Sequence, residues 1–176
     1  EMTSSLVGSE MCIRDRFLCI GIYFGFSMGL STPLGYAYGD RNFSVCRVLE
    51  KYAYRFFAIA PIILYGCTYL LAPIGVYFFA SPGSTVFDMA VSGLRLYGLG
   101  FLFSGINIFA AIRMMTYGKG YISGMITFLR SFALLLLFLT VLPRFLELNG
   151  IWLAVPAAEI LTLIVALWTL RKKTVA

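Results

Sequence analysis

FLCIGIYFGFSMGLSTPLGYAYG, residues 17–39, runs for 23 residues without a charge. A bilayer core about 30 Å thick is crossed by about 20 apolar residues in helical conformation, so this stretch predicts a membrane-spanning helix. The basic stretch Asp40 to Lys51 ends it. Working outward, charges, prolines and glycines cut the rest of the chain into four similar runs: about Tyr52 to Phe79, Gly93 to Thr116, Tyr121 to Leu142, and Gly150 to Leu170. Pro61 and Pro73 are expected to kink the second, and Ser81–Thr85 (SPGST) reads as a turn. Short connections between five such spans describe an all-α integral membrane bundle.

The composition agrees. Of 176 residues 60% are hydrophobic and only 12% charged, against about 25% charged in soluble domains. Eight acids and fourteen bases give +6, and in so apolar a chain those bases belong at span ends or in buried pairs, which argues against nucleic-acid binding. With alternating spans, nine bases share one side: Arg41, Arg47, Lys51, Arg55, Arg113, Lys119, Arg171, Lys172 and Lys173. The other side holds Arg144 and Arg95 near a span edge, so the positive-inside rule predicts a cytoplasmic C-terminus, with residues 171–176 as a basic tail; Arg14 and Arg16, on the outer side of the first span, are the bases that break the pattern. Residues 1–16 are the least membrane-like part. SEMCIRDR resembles translated sequencing-adapter text, so residues 1–16 are expected to be a non-native leader and the chain part of a longer protein; a short natural tail is the alternative.

Several chemistries are excluded. The chain has no histidine, which removes histidine metal sites and every Ser-His-Asp or Cys-His arrangement. Gly25-Phe-Ser27-Met-Gly29 matches a hydrolase nucleophile motif, but inside an apolar helix with no histidine it reads as packing. Gly21, Gly25 and Gly29, Gly35 and Gly39, and Gly120 and Gly124 repeat every four residues, the pattern that admits a neighbouring helix backbone. The sequon Asn42-Phe43-Ser44 falls on the side assigned to the cytoplasm, and Gly118-Lys119 lacks the rest of a phosphate loop. The four cysteines have no C-x-x-C spacing, so neither disulfides nor metal are expected.

Polar groups at membrane depth remain as functional candidates, because they are costly there. Pro33 removes a helix hydrogen bond in the first span, as a kink or as a carbonyl freed for a ligand. Asn107 is either an interhelical clamp or a substrate contact. Arg130 lies 13 residues before Pro143, and Glu159 lies 9 after Gly150. At about 1.5 Å per residue the two sit roughly 20 and 14 Å from their connection, so antiparallel spans could pair them. Glu159 is then one half of a structural ion pair with Arg130, or a site for a proton or a cationic substrate. Aromatic residues, 16% of the chain, read as interfacial anchors and lipid-facing bulk, with some able to line a pocket for flat cations.

The stretch Gly29-Leu-Ser-Thr-Pro-Leu-Gly-Tyr-Ala-Tyr-Gly-Asp-Arg-Asn42 resembles the signature that closes the eighth helix of MATE (multidrug and toxic compound extrusion) transporters, with Asp40 where small residues are common. Gly100–Phe109, Ile122–Ser131 and Leu142–Thr162 resemble helices ten, eleven and twelve of the MepA-like branch of that family. The resemblance covers Phe17 to Leu170 and implies helices eight to twelve of a twelve-helix, two-lobed protein, a partial C-terminal six-helix lobe lacking helix seven and the N-terminal lobe. It implies a bacterial inner-membrane exporter that exchanges lipophilic or cationic drugs for protons or sodium, without catalysis or a cofactor. By the same resemblance Asn107 and Glu159 face the central cavity, with Pro33 and Tyr38 in the family motif. A flippase for lipid-linked saccharides, which shares the architecture, and a purely structural membrane subunit are the alternatives. Five helices alone cannot close a two-lobed cavity, so the isolated chain is expected to be inactive.

Overall fold

The computed structural model describes residues 2–77 and 83–172, with side chains for 17–77, 83–85, 87–146 and 149–168. Helix α1 (Met2–Gly39) turns at Asp40–Asn42 into α2 (Phe43–Tyr77). The chain then continues through α3 (Thr85–Gly98), α4 (Phe101–Thr116), α5 (Gly120–Phe128), a π-helical turn (Leu129–Ala133), α6 (Leu134–Val141) and α7 (Pro143–Lys172). Together these supply five helices long and apolar enough to cross a membrane: Phe17–Gly39, Phe43–Tyr77, Phe87–Thr116, Gly120–Leu146 and Asn149–Trp168. Ser81 and Pro82 of the expected turn, the end of the second span and the last residues of the tail lie outside the described residues.

Local chemistry sets the breaks. Asn42 caps α2 by accepting from the Val45 amide through Oδ1, which explains an asparagine at that turn without glycosylation. Ser84 caps α3 by accepting from the Phe87 amide. The second span starts earlier than expected, because the basic stretch after Asn42 is already helical. The third span is two helices rather than one: at Leu99 and Gly100 the amides bond three residues back, to Leu96 and Tyr97, a tighter turn that offsets α4 from α3. The last helix begins at Pro143, not Gly150. Yet Gly150 lies against the Leu142 carbonyl, which a Cβ there would meet at 2.5 Å, whereas eight residues of straight helix would set them about 12 Å apart; the chain therefore reverses between Pro143 and Gly150, and the two spans end and begin at Leu146 and Asn149.

The bundle is built around α4. It packs against α1, α2, α5 and α7, and 72% of the most apolar stretch of its span is buried, against 6% for the α5–α6 span. Tyr23, Ala53, Phe57, Ile108, Phe109 and Ile112 form the central core where α1, α2 and α4 meet, with Phe26 stacked on Phe56 at 3.8 Å. One end is closed by Leu34, Ala37 and Cys46 beside Tyr117, the other by Ala72, Val76, Val91 and Leu94 beside Trp152. That arrangement makes the spans alternate in direction. Among the described residues the glycine repeat of α1 meets no neighbouring helix: a Cβ at Gly21, Gly25 or Gly29 would meet nothing within 4 Å, nor at Gly39, Gly120 or Gly124. Of the repeated glycines only Gly35, beside Thr116, lies in a close contact, because the described core uses the tyrosine, serine and leucine face of α1 instead.

Candidate functional site

The strongest cluster of polar groups lies at mid-span. Asn107, fully buried on α4, donates through Nδ2 to Glu159 Oε2 at 2.8 Å and to the Glu159 carbonyl at 2.9 Å. Two acceptors on one nitrogen fix which way the amide points, and Oδ1 is left buried without a hydrogen-bond partner. Arg130 Nε lies 3.3 Å from the other carboxylate oxygen, Oε1. Both oxygens of a buried carboxylate are thus held, one by a neutral donor and one by a cation, which is the arrangement that makes a charge tolerable away from water.

Three elements deliver these groups. Gly150 returns against Leu142, so Glu159, nine residues on, and Arg130, twelve residues before Leu142, reach a similar depth. Arg130 sits in the π-helical turn, whose wider winding changes the direction of the side chains that follow. Pro156, buried one turn before Glu159, stands where Gly100 and the α3–α4 break approach α7. Beside the cluster is a cavity of about 320 Å³ between α1, α4 and α5, with Met28, Asn107, Ser123, Thr127, Arg130 and Ser131 in its wall. Ser27, of the hydrolase-like motif, is fully buried in α1 with Oγ lacking a partner.

Of the residues singled out from the sequence, Asn107, Arg130 and Glu159 are brought together, and Pro33 and Tyr38 are not. Pro33 is exposed on α1. Tyr38 lies at the end of that helix, its ring 4.5 Å from that of Tyr117 and 6.3 Å from that of Phe43. A larger cavity, about 520 Å³, opens at the other end between α1 and α2; its wall of Leu18, Ile22, Leu64, Leu71, Ile74 and neighbours offers no charged group.

With this geometry in hand, solved structures provide the comparison. An outward-facing multidrug resistance MATE family transporter of the MOP superfamily superposes with a TM-score of 0.83 over 96% of this chain, at 20% identity. The Vibrio cholerae MATE transporter VcmN in its bent form gives 0.84 over 97% at 20% identity, and an inward-facing MATE transporter 0.80 over 93% at 19%. The chain has the MATE fold. It spans 38 to 40% of the length of these transporters. Searches against family models and against curated proteins gave no match. Together with its five apolar helices, the MATE fold makes this a multi-pass membrane protein.

This piece of the MATE fold holds a second buried ion pair that the sequence pattern does not announce. Arg113, 3% exposed, reads in sequence as a base at the edge of the membrane, yet its Nε meets Oε1 of Glu50 on α2. The Tyr117 hydroxyl donates to the same oxygen, and the Arg113 guanidinium lies 5.2 Å from the Tyr117 ring. Burial, and then the bond to Glu50, raise the Tyr117 hydroxyl pKa above the ordinary tyrosine value. The available signal is the helical spacing of Cys46, Glu50, Ala53 and Phe57, which puts Glu50 on the buried face of α2.

Proposed function

We propose that the chain is part of the C-terminal lobe of a secondary-active multidrug exporter of the MATE family, in the MepA-like branch. In this reading the five spans correspond to helices eight to twelve, and further helices of the same protein complete two lobes that alternate access to a central site. The protein sits in the bacterial plasma membrane with its C-terminus in the cytoplasm and exchanges lipophilic or cationic drugs for protons or sodium, with no cofactor and no chemical conversion of the drug.

The observation that supports this reading is the carboxylate of Glu159, buried at mid-span and held by Asn107 and Arg130 beside a cavity. An intramembrane acid with two dedicated partners is costly and is a natural point for ion or substrate binding. In this arrangement Arg130 occupies the cation position, so a proton or sodium ion reaches Glu159 only as that contact loosens. Ion binding is thereby tied to a change in how α7 and the π-helical turn meet. The flippase alternative calls for a base free to hold a phosphate, whereas Arg130 is engaged by Glu159.

The test is efflux of a fluorescent cationic dye from cells that lack their own exporters and express the complete gene product. Glu159→Gln, present at the wild-type level in the membrane, is expected to abolish efflux, and Asn107→Ala to reduce it strongly. Wild-type efflux by a properly inserted Glu159→Gln protein would sink the proposal.

A further inference from the structure

Helix α2 is longer than a membrane needs. At about 1.5 Å per residue its 35 residues extend about 52 Å, while a hydrocarbon core measures about 30 Å. The stretch from Arg55 to Tyr77 alone accounts for about 33 Å, so Phe43–Arg55 extends beyond the core into the headgroup layer.

This surplus segment presents a pattern. Arg47, Lys51 and Arg55 recur every four residues and are all exposed. Each step of four advances about 40° around the helix, so the three charges fall within an arc of about 80°, stacked over about 12 Å. Beyond Arg55 the exposed side of α2 changes to Ile59, Ile62, Ile63 and Leu70, an apolar surface that continues the line of the basic row and suits acyl chains. The Asp40–Asn42 turn adds Arg41, exposed, and Lys119 lies in the adjoining turn, which Tyr38 and Tyr117 hold against it. Glu50 offers no neutralisation, since it points into the bundle toward Arg113. Among the described residues neither Lys51 nor Arg55 has a carboxylate within ion-pair distance. The same level carries exposed tyrosines, Tyr36, Tyr52, Tyr54 and Tyr121, the side chains that settle at a membrane–water interface.

We infer that Arg47, Lys51 and Arg55 on the α2 extension form a binding surface for the phosphate headgroups of anionic phospholipids, the acyl chains lying along Ile59, Ile62 and Ile63. Guanidinium and ammonium groups stacked on one face match a row of phosphodiesters, and the tyrosines hold the helix at headgroup depth. The inference rests on the membrane-spanning fold and is independent of the exporter reading and of which side this end faces.

Native mass spectrometry of the full chain, with any further helices its gene encodes, tests it in detergent with dioleoyl phosphatidylglycerol or dioleoyl phosphatidylcholine added. The wild type is expected to retain the anionic lipid selectively. In R47Q/K51Q/R55Q, selectivity is expected to fall about fivefold per charge removed, and R47K/K51R/R55K, which keeps the charges, is expected to retain it. If the triple Gln variant is not monodisperse, the single variant R55Q takes its place, with the fivefold loss expected of one charge. Equal retention of the two lipids by the wild type, or wild-type selectivity in the Gln variant, would overturn the inference. So would complete displacement of the bound lipid by inorganic phosphate at equal concentration, since that would mean the surface recognises a free anion.

Discussion

Among the described residues two glutamates are buried, and each is held differently. Glu159 has the Asn107 amide on one oxygen and the Arg130 ion pair on the other, whereas Glu50 concentrates Arg113 and Tyr117 on one. Removing one partner of a buried pair leaves the other charge without compensation, at a cost of about 3–5 kcal/mol. Glu159→Gln is therefore expected to lower the thermal unfolding midpoint in detergent clearly. Arg130→Met with Glu159→Met, which removes both charges, is expected to recover most of that loss and none of the transport, and recovery of transport would show the pair to be only structural. Tyr117 gives a pH signature. Its folded pKa is raised, so the unfolded chain releases the proton first, and the stabilisation is full below about pH 10 and lost as pH rises beyond it. Tyr117→Phe is expected to flatten that alkaline loss of stability, measured as unfolding midpoint against pH.

Elements show where glycine matters. A Cβ on Gly93 of α3 would overlap the Trp152 indole, 2.8 Å from Cζ2, so Gly93→Ala is expected to cost about 1–3 kcal/mol by forcing α3 and α7 apart. Gly25 faces open space, and Gly25→Ala is expected to stabilise α1 by about 0.5–1 kcal/mol; thermal unfolding of both variants checks the contrast. This pair also shows what is legible. The four-residue glycine repeat is visible in the sequence, but a repeat gives spacing and not a partner, and the core among the described residues lies on another face of α1. The five spans are legible because a run of apolar residues is read without tertiary knowledge. The break at Leu99–Gly100 is not, since neither glycine nor leucine there interrupts the apolar pattern. Nor is the π-helical turn, because Leu129–Ala133 (LRSFA) contains no glycine or proline that would mark it. Arg130 and Glu159 can be placed at similar depth by counting residues, whereas counting does not bring Asn107 to them, and only the family resemblance turns Asn107 and Glu159 toward one cavity.

On the scale of the whole bundle, charge and burial divide the molecule along its length. The Arg41, Arg47, Lys51, Arg55 and Lys119 end is basic and ringed with tyrosines, while the opposite end holds Asp88 at the start of α3 and Arg95 lying 4.2 Å over the Tyr69 ring. A bilayer with a negative interior leaflet and an inward-negative potential retains bases on the cytoplasmic side during insertion, so the asymmetry predicts a cytoplasmic location for the basic end. The same alternation of spans places Gly83 and Lys119 on opposite sides of the membrane, because α3 and α4 together cross it once between them. In a cysteine-free background, Lys119→Cys is expected to resist a membrane-impermeant maleimide in intact cells and to react after permeabilisation, while Gly83→Cys reacts in both. The reverse pattern would invert the orientation while leaving the fold intact. Labelling of both positions from one side would contradict the single crossing of α3 and α4, and with it the central place of α4 that brings Asn107 to Glu159.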